Sequence, residues 1–523
     1  MDKLRNLWNR LGKGDGYQEF GQDGPVYYQR YDDSGMPQQQ TNYGGIQTSQ
    51  PSVVTQTLTV DDVLEIIGFG AYQRRIIALA GLAWMAESMT VNVLGVLGPE
   101  MFCRWHLSPR QEALVSGAGF VGLMIGCILF GWIFDRFGRR YGMLLSVGWS
   151  AIYALIAAIS PRYIWLIITI FLMTIGAGAS SLAAVFSTEF IPAKMRSTSI
   201  CIMNMFWAAG ACLTAVVALV TMGHGEEGPG WRLLMASCAV PLGIFVLIGL
   251  SYLPETPRFA LASGNPSEAI ISLKKIAEIN GKHVPMGDLI SEESTSMQGS
   301  LREILKPGIM LRTTFTISVV IFVVRFSYYG TILQTTEIFQ QQDVGTFCEL
   351  QTKGTDLRCA AMCQRLHSSD YLDLLFTTLA EFPGLALTYL IVDLLGRRRS
   401  LFLVLSGVAL SYSVLFTCPN RAVTDIVFFI ARALSISSFN TIVLYGAEIY
   451  PTNIRAVGLG FCNFIGGSGM LFAPLVSNVV SKTSAHLATA IFVGFGCIGA
   501  IAAACLPLET TGMKLGEIRL KTR

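Results

Sequence analysis

Twelve long apolar stretches follow one another along the chain, and short segments that hold most of the charged residues separate them. Each stretch is roughly 20 residues long, which as an α-helix crosses the hydrocarbon layer of a bilayer. None alternates strictly between apolar and polar residues, so the stretches do not fit the strands of an outer-membrane barrel. The pattern therefore predicts an all-α polytopic membrane protein. We number the predicted transmembrane helices as spans 1 to 12, with the bounds 76–98, 111–134, 141–159, 163–187, 198–222, 231–253, 313–337, 371–395, 399–417, 423–447, 455–480 and 486–507.

The polar segments divide the spans into two groups of six. The Gln-, Gly- and Tyr-rich N-terminal tail has no apolar core and is expected to be disordered. After it, Val60, Val63, Ile66 and Ile67 share one helical face, which predicts a short interfacial helix. The predicted organisation is a cytosolic tail (1–58), the interfacial helix (59–74), an N-terminal bundle (75–253), a cytosolic central loop with a short helix (254–312), a C-terminal bundle (313–510) and a cytosolic tail (511–523).

The composition agrees with a membrane protein and indicates its orientation. Hydrophobic residues make up 52% of the chain and charged residues 14%, whereas soluble domains carry about 25% charged residues. Lys and Arg are more frequent in the loops on the side of the two termini, so both termini are expected in the cytosol. The net charge of +3 and the lack of a basic aromatic groove give no reason to expect nucleic acid as a partner. Membrane lipid is the expected surroundings.

Three motifs occur in each half of the chain, in the same order. "GWIFDRFGRR" (131–140) and "TYLIVDLLGRRR" (388–399) both contain Asp-x-x-Gly-Arg-Arg. "EFIPAKMR" (189–196) and "EIYPTNIR" (448–455) share Glu-x-x-Pro-x-x-x-Arg, and "LPETPR" and "LPLETTG" close the two halves. Recurrence at one spacing indicates two six-helix pseudo-repeats.

These motifs resemble those of the major facilitator superfamily, most strongly its sugar-porter and organic-ion branches. "LASGNPSEAIISLKKIAEING" and "CELQTKGTDLRCAAMC" are further similar to a subfamily of synaptic vesicle proteins. The resemblance implies secondary active transport of a small organic ion by alternating access, in a synaptic or secretory vesicle membrane. The alternative is a vesicle membrane protein that uses the transporter fold for binding or regulation without transport.

The resemblance also implies that the charges of the repeated motifs form a cytosolic gate, closed when they pair and open when they separate. A positive-inside signal alone would need only Lys and Arg, whereas acids are part of these motifs. Gly131 is expected to let span 2 approach a neighbouring helix closely, and Tyr389 replaces it in the second half. The candidate gate residues are Gly131, Asp135, Arg139, Arg140, Glu189, Arg196, Asp393, Arg397, Arg398, Glu448 and Arg455.

Four ionisable residues lie deep inside the spans, where a lone charge costs several kcal/mol by most estimates. They are Glu87 in span 1, Arg325 in span 7, Glu381 in span 8 and Arg432 in span 10. Spans 1 and 7 are equivalent in the two repeats, and by the resemblance both line the central cavity. A Glu87–Arg325 pair across the cavity is therefore expected, either as a structural ion pair or as a direct ligand contact.

The substrate's sign of charge stays open at this point. Related organic-ion carriers have a charged residue seven positions before the proline of span 11, whereas this chain has Gly467. By the resemblance, an arginine at the first-half counterpart of Arg432 accompanies proton coupling in the family. This chain has apolar Ile170 at about that position, which argues against standard proton symport. A zwitterion, an aromatic carboxylate and an organic cation all fit. Aromatic residues suited to a flat organic ligand complete the candidate cavity, although such residues in membrane helices more often pack: Trp84, Trp207, Tyr328 and Tyr329.

No motif indicates an enzyme, a cofactor or a metal site. "GHGEEG" (223–228) matches G-x-G-x-x-G, but it lies between spans 5 and 6 with no strand before it. Two tail segments beginning at Tyr17 ("YQEF") and Tyr43 ("YGGI") fit the tyrosine pattern that endocytic adaptors bind, which makes such adaptors expected partners.

Four of the twelve cysteines lie in loops on the side away from the cytosol, and the other eight are assigned to spans. An oxidising compartment favours disulfides there, and four cysteines allow three pairings. The candidates are Cys103, Cys348, Cys359 and Cys363.

Overall fold

The computed structural model describes residues 57–179, 182–223, 230–285, 288–289, 308–342, 366–450 and 454–510. The α-helices are α1 Val60–Ile67, α2 Ala71–Arg104, α3 Pro109–Phe137, α4 Arg139–Ala158, α5 Tyr163–Ala177, α6 Leu182–Thr188, α7 Arg196–Met222, α8 Gly230–Tyr252, α9 Pro257–Ala262, α10 Pro266–Ile279, α11 Ile309–Gln342, α12 Ser368–Leu379, α13 Glu381–Leu395, α14 Arg397–Val414, α15 Arg421–Ile449, α16 Arg455–Pro474, α17 Ser481–Thr483 and α18 Ala485–Ala504. Short 3₁₀ helices cover Ala193–Met195 and Leu415–Thr417, a π-helix covers Leu475–Val480, and strands β1 (Thr57–Leu58) and β2 (Asp288–Leu289) pair in parallel.

Twelve helical segments in the described part of the chain are long and apolar enough to cross a membrane, which confirms the predicted number of spans. Their ends agree with the prediction to within a few residues except at spans 1 and 7. Those two helices, α2 and α11, are each 34 residues long, because their polar ends continue beyond the apolar layer. We use "motif face" for the membrane face that carries Asp135–Arg140 and Asp393–Arg399, and "opposite face" for the other.

Several spans are interrupted. Span 4 consists of α5 and α6, and span 11 passes from α16 through the π-helix into α17. Span 8 breaks at Ala380 between α12 and α13. Pro383 explains this last break, because it has no backbone N–H to donate to the carbonyl of Leu379. The break places Glu381 at the first residue of α13, in the middle of the membrane.

Small residues set the closest helix contacts, but not at the position predicted from the motif. A Cβ atom at Gly122 of span 2 would lie 2.6 Å from the carbonyl oxygen of Phe171 in span 4, and one at Gly126 would overlap the backbone of Ile175. A Cβ atom at Gly131 would meet nothing within 4 Å. The expectation that Gly131 permits a close approach is therefore wrong for this conformation, and the close approach lies one to two turns deeper.

The predicted interfacial helix is shorter than expected and turns a different face to the protein. It ends at Ile67, because Gly68 has a positive φ of 74° and breaks the helix before span 1 begins at Ala71. Val60, Val63, Leu64 and Ile67 are buried, whereas Ile66 is 55% exposed. The buried set follows the i, i+3, i+4, i+7 spacing of one helical stripe, which excludes Ile66.

The central-loop helix forms where the sequence predicts it and packs on the start of span 1. Pro266 opens α10, which ends at Ile279 and buries Leu273, Ile276 and Ala277. Beyond its end, Asn280 Oδ1 accepts the backbone N–H of Tyr72 at 3.0 Å, and its Nδ2 donates to Gln73 Oε1 at 2.8 Å.

The two halves meet at three depths. At the opposite face, Lys482 of the second half forms an ion pair with Glu112 of the first, and Thr336 Oγ1 donates to the Gly95 carbonyl at 2.9 Å. In the middle, the contacts described below join spans 1, 5, 7, 8 and 10. Between the middle and the motif face, Asn204 Nδ2 donates to Asn440 Oδ1 at 2.6 Å. The only described ion pair at either membrane face that joins the halves is therefore the one at the opposite face.

Candidate functional site

The repeated motifs make equivalent contacts in the two halves. Arg139 forms ion pairs with Asp135 and with Glu189, whose Oε1 lies 3.3 Å from Nε. Arg397 binds Glu448 through two parallel bonds, Nε to Oε2 and Nη2 to Oε1, both 3.0 Å. Each arginine thus connects the start of one span, 3 or 9, with the end of the next span along the chain. These ion pairs join residues of the same half, so they are not the bonds that hold the two halves together here.

The acid of the third repeated motif caps the helix that begins at the end of the first motif in the same half. Glu255 accepts the backbone N–H groups of Arg139 and Arg140 at the start of α4, and Glu509 accepts those of Arg397 and Arg398 at the start of α14. A carboxylate at a helix N-terminus satisfies free N–H groups and interacts favourably with the helix dipole. Burial raises the pKa of Glu255, and the backbone N–H groups it accepts only partly oppose this.

Glycine is required at the turn before each of these helices. Gly138 and Gly396 have positive φ values of 103° and 85°, a conformation that side chains other than glycine rarely adopt. A Cβ atom at Gly138 would also collide with the Glu255 carboxylate. The Gly of Asp-x-x-Gly-Arg-Arg is therefore explained by the backbone turn that presents the next helix to its capping acid.

Two predicted gate residues, Arg196 and Asp393, do not make the ion pairs expected within the cluster. Arg196 pairs with Asp61 of α1 at 2.5 Å and not with the acids of the repeated motifs, because α1 packs beside it at the motif face. Asp393 is exposed and forms no ion pair with any described residue, and the side chain of Asp135 is 75% exposed. The side chain of Arg455 lies outside the described residues. The role of these residues as a gate stays a prediction.

Asp61 connects the interfacial helix to the motif face. Besides Arg196 it binds Arg258, which follows the first bundle. Burial of Asp61 raises its pKa, but the hydrogen bonds and charges of Arg258 and Arg196 outweigh burial and hold the pKa below its usual value. This contact was not predicted from the sequence, because Asp61 lies 135 residues before Arg196.

In the middle of the membrane, Glu381 and Arg432 form a fully buried ion pair. Their Oε1 and Nη2 atoms lie 2.9 Å apart, and Nε of the arginine also donates to Oε1 at 3.0 Å. Tyr328 donates its hydroxyl to the same oxygen at 3.0 Å, and Trp207 Nε1 donates to the tyrosine at 2.6 Å. Arg432 Nη2 also donates to Asn92 Oδ1 at 2.6 Å.

This network crosses between the halves. Asn92 and Trp207 belong to the first half, whereas Tyr328, Glu381 and Arg432 belong to the second. Four of the five were predicted as cavity residues or as deep charges, but their mutual contacts were not predicted. One oxygen of Glu381, Oε2, and one nitrogen of Arg432, Nη1, are buried without a hydrogen-bond partner. The charges themselves are neutralised within the pair.

Glu87 and Arg325 have a different arrangement. Each lies near the middle of a 34-residue helix, in spans 1 and 7. They interact electrostatically but do not come within the 4.0 Å of an ion pair, so the predicted close Glu87–Arg325 ion pair is not formed. Glu87 is 8% exposed, and its Oε2 is buried without a hydrogen-bond partner.

Neutral groups and aromatic rings surround these two charges. Arg325 Nη2 donates to Asn463 Oδ1 of span 11 at 2.8 Å. Trp84, one turn before Glu87, packs against Trp207 with a ring separation of 5.7 Å, and its Nε1 is buried without a partner. Tyr329 is buried against Phe120, 5.1 Å between rings. Two buried polar atoms on one face of span 1, Trp84 Nε1 and Glu87 Oε2, therefore have no hydrogen-bond partner.

Gly467 provides the space for the Arg325 guanidinium. A Cβ atom there would lie 3.3 Å from Arg325 Nη1 and 3.3 Å from Met124 Cε. This span-11 position carries no charge of its own, but the guanidinium of Arg325 from span 7 lies beside it. Asn92 and Asn463, which hold the two arginines, were missed because a single amide in an apolar helix is no distinctive signal.

The cysteine and tyrosine predictions are tested only in part. Tyr17, Tyr43, Cys348, Cys359 and Cys363 lie outside the described residues, and Cys103 is buried near Gln340, whose Nε2 lies 3.6 Å from Sγ. Cys418, counted from the sequence among the eight cysteines of the membrane helices, is disulfide-bonded. It follows the last turn of that span at the opposite face, which is where the loop disulfides were expected.

Comparison with known proteins gives consistent results. A family model described as "Sugar (and other) transporter" matches residues 106–347. Synaptic vesicle 2-related protein of Bos taurus is 37% identical over 463 residues, which cover 88% of this chain and 83% of that protein. Its namesake from Xenopus laevis is 36% identical over 461 residues, with the same shares covered. The E. coli xylose transporter XylE, in a partially occluded inward-open conformation, has a TM-score of 0.65 at 18% identity, covering 85% of this chain and all of that chain.

Proposed function

The chain belongs to the major facilitator transporter family that includes the synaptic vesicle 2-related proteins, and we propose that it carries a small organic ion across a vesicle membrane by alternating access. Membership confirms the resemblance drawn from the repeated motifs and makes the chain a transporter, not an enzyme. What it carries, in which membrane and in which orientation are parts of the proposal.

One observation supports an ionic substrate above all. Glu87 and Arg325 are opposite charges in the middle of the membrane, on equivalent spans of the two halves, and they are not joined in an ion pair. Each charge alone costs several kcal/mol in such a place unless something pairs or hydrates it. A substrate with a charged group supplies that partner, and Trp84 and Tyr329 give its organic part a flat apolar contact.

The contacts between the halves support alternating access. Two of them, Lys482–Glu112 and Thr336–Gly95, lie at the opposite face, whereas the charge clusters of the motif face each stay within one half. This is the arrangement expected of a carrier whose site communicates with the motif face. We assign the motif face to the cytosol, because its loops carry the larger number of Lys and Arg residues.

The vesicle location rests on the relatives, whose printed name refers to synaptic vesicles. In such a membrane the opposite face would meet the vesicle lumen, and the disulfide at Cys418 suits that oxidising side.

Uptake into proteoliposomes tests the proposal. The purified full chain is reconstituted and tested against matched sets of organic cations, carboxylates and zwitterions, with and without an imposed pH gradient. We expect saturable uptake of at least one ion, lost in Glu87→Gln and in Arg325→Gln. The control is Glu268→Gln, the same chemical change on the exposed face of α10.

Two results would contradict the proposal. Uptake of neutral sugars alone, unaffected by Glu87→Gln, would exclude an ionic substrate. Ligand binding without any uptake would instead favour the non-transporting alternative.

A further inference from the structure

A second buried charge cluster lies at the opposite face, away from the central site. The side chain of Lys482, at the end of span 11, is 3% exposed, and its Nζ forms ion pairs with Glu112 and with Glu337, the latter at 3.4 Å. The two carboxylates are 0% and 2% exposed. Nζ also lies 3.4 Å from the ring centroid of Phe102, a cation–π contact.

The two ion pairs of Lys482 differ in which halves they join. Glu112 lies in the first turn of span 2, in the first half, so its bond to Lys482 crosses between the halves. Glu337 lies in span 7 and belongs to the same half as the lysine. Of the two ion pairs, only the one with Glu112 must therefore break when the opposite face opens, together with the cation–π contact with Phe102 of span 1.

The end of span 11 is bound to span 7 by further contacts. Gln334 Nε2 donates to Ser481 Oγ at 3.1 Å, and Ser477 Oγ donates to the Gly330 carbonyl at 3.2 Å. Ser477 belongs to the π-helix that carries the chain to Lys482, and π-helices are frequent at functional sites. Lys482 and Glu337 are thus held to each other whether or not the halves separate.

We propose that Lys482 is the gating residue of the opposite face: Glu112 holds it in the closed state, and Glu337 remains its partner in the open state. This inference rests on the alternating access proposed above. A buried lysine with no acid is strongly unfavourable, so without Glu337 the bond to Glu112 would break only with difficulty. Glu112 itself, one turn from the start of its helix, becomes hydrated when the face opens.

The proposal predicts unequal effects for two acids that share one lysine. Glu112→Gln removes the bond between the halves and leaves Lys482 paired, so the opposite face should open more often. Glu337→Gln removes the partner of Lys482 within the half and keeps the bond to Glu112, so it should not open the face. A cluster with a purely structural role would respond similarly to the loss of either acid.

The test measures the distance across the opposite face. Spin labels are placed on keto-bearing amino acids at Arg110 of span 2 and Leu487 of span 12, two exposed positions in different halves, so that native cysteines stay in place. Pulsed electron resonance on the full chain in nanodiscs then gives the ratio of long to short distances. Glu268→Gln, the same chemical change at an exposed position of α10 on the motif side, is the control.

The expected result is a rise in the long-to-short ratio of at least about fivefold for Glu112→Gln, no rise for Glu337→Gln and no change for the control. Lys482→Gln should raise the ratio too, and adding Glu112→Gln to it should have little further effect, because both changes remove the same bond. This second comparison decides the matter even if Glu337→Gln proves unstable.

Equal opening by the two acid variants, or additive effects of Glu112→Gln and Lys482→Gln, would overturn the gating role. The measurement needs no transported substrate, so its failure is distinct from a failure of the uptake test. If both the short and the long distance are observed but the variants change their ratio in another pattern, Lys482 is not the gating residue, although alternating access still holds.

Discussion

Two pairs of buried charges lie within a few turns of each other in the middle of this protein, and only one of them is an ion pair. Glu381 and Arg432 are in direct contact at 2.9 Å and fully buried. Glu87 and Arg325 face each other without an ion pair, and Glu87 keeps an oxygen with no hydrogen-bond partner. The first pair is neutral as it stands, whereas the second leaves two charges unmatched.

The difference indicates a division of roles. A matched pair that also binds Asn92 and, through Tyr328, Trp207 fixes the position of one half against the other. An unmatched pair has free energy to gain from a ligand, because the desolvation cost of each charge is not yet offset. We therefore assign the connection between the halves to the first pair and substrate binding to the second.

The largest expected effect is on stability, from breaking the matched pair. Glu381→Gln or Arg432→Gln alone leaves an uncompensated buried charge, which typically costs about 3–5 kcal/mol. We expect a marked fall in the thermal midpoint of the purified protein in detergent. Wild-type stability in either single variant would show that the pair is not buried as the structure has it.

The next effect is on transport. Glu87→Gln and Arg325→Gln should each lower uptake by at least about tenfold, the effect of losing one charge-assisted hydrogen bond to the substrate. Their thermal midpoints should change far less than those of the Glu381 and Arg432 variants. The double variant should stay inactive; recovery of uptake in it would mean that the two charges serve only each other.

Asn463→Asp turns the unmatched arrangement into a matched one. The new carboxylate would lie where an amide oxygen already accepts from Arg325 at 2.8 Å, so the arginine would have a permanent counter-ion. We expect uptake to fall by about tenfold, with the thermal midpoint unchanged or raised. Asn463→Ser, which keeps a neutral polar group, is the control, and equal uptake in both would contradict a role for the free charge of Arg325.

The smallest effect is expected at Gly467. A methyl group there would press on the Arg325 guanidinium and on Met124, each 3.3 Å from the added Cβ atom. Gly467→Ala should therefore raise the KM of uptake by roughly fivefold, a change of about 1 kcal/mol, without altering stability. Gly460→Ala in the same helix, where a Cβ atom meets nothing within 4 Å, should leave KM unchanged.

Some of this arrangement can be predicted from the sequence and some cannot, for physical reasons. The spans are predictable because a bilayer imposes a length of apolar helix, and the repeated motifs are predictable because the same helix cap recurs at Glu255 and Glu509. Glu87, Arg325, Glu381 and Arg432 were found because charges are rare inside spans.

Which residue each of these charges pairs with cannot be predicted from the sequence. Whether Arg432 binds Glu381 or Glu87 depends on how the helices are rotated about their axes, which hydropathy does not determine. The same holds for Lys482, which follows the predicted end of span 11 and reads as a loop lysine, although it lies buried between Glu112 and Glu337. Arg196 binds Asp61, which lies 135 positions earlier in the sequence, because helix α1 packs at the motif face.

Two double-mutant cycles, measured side by side, test the central claim most directly. Unfolding of the wild type, the single Gln variants and the double Gln variants is followed in one detergent for Glu381 with Arg432 and for Glu87 with Arg325. The account predicts a coupling energy of about 3 kcal/mol or more for the matched pair and about 1 kcal/mol or less for the unmatched one. Equal couplings, or a larger one for Glu87 with Arg325, would contradict the assignment of one pair to the connection between the halves and the other to the substrate.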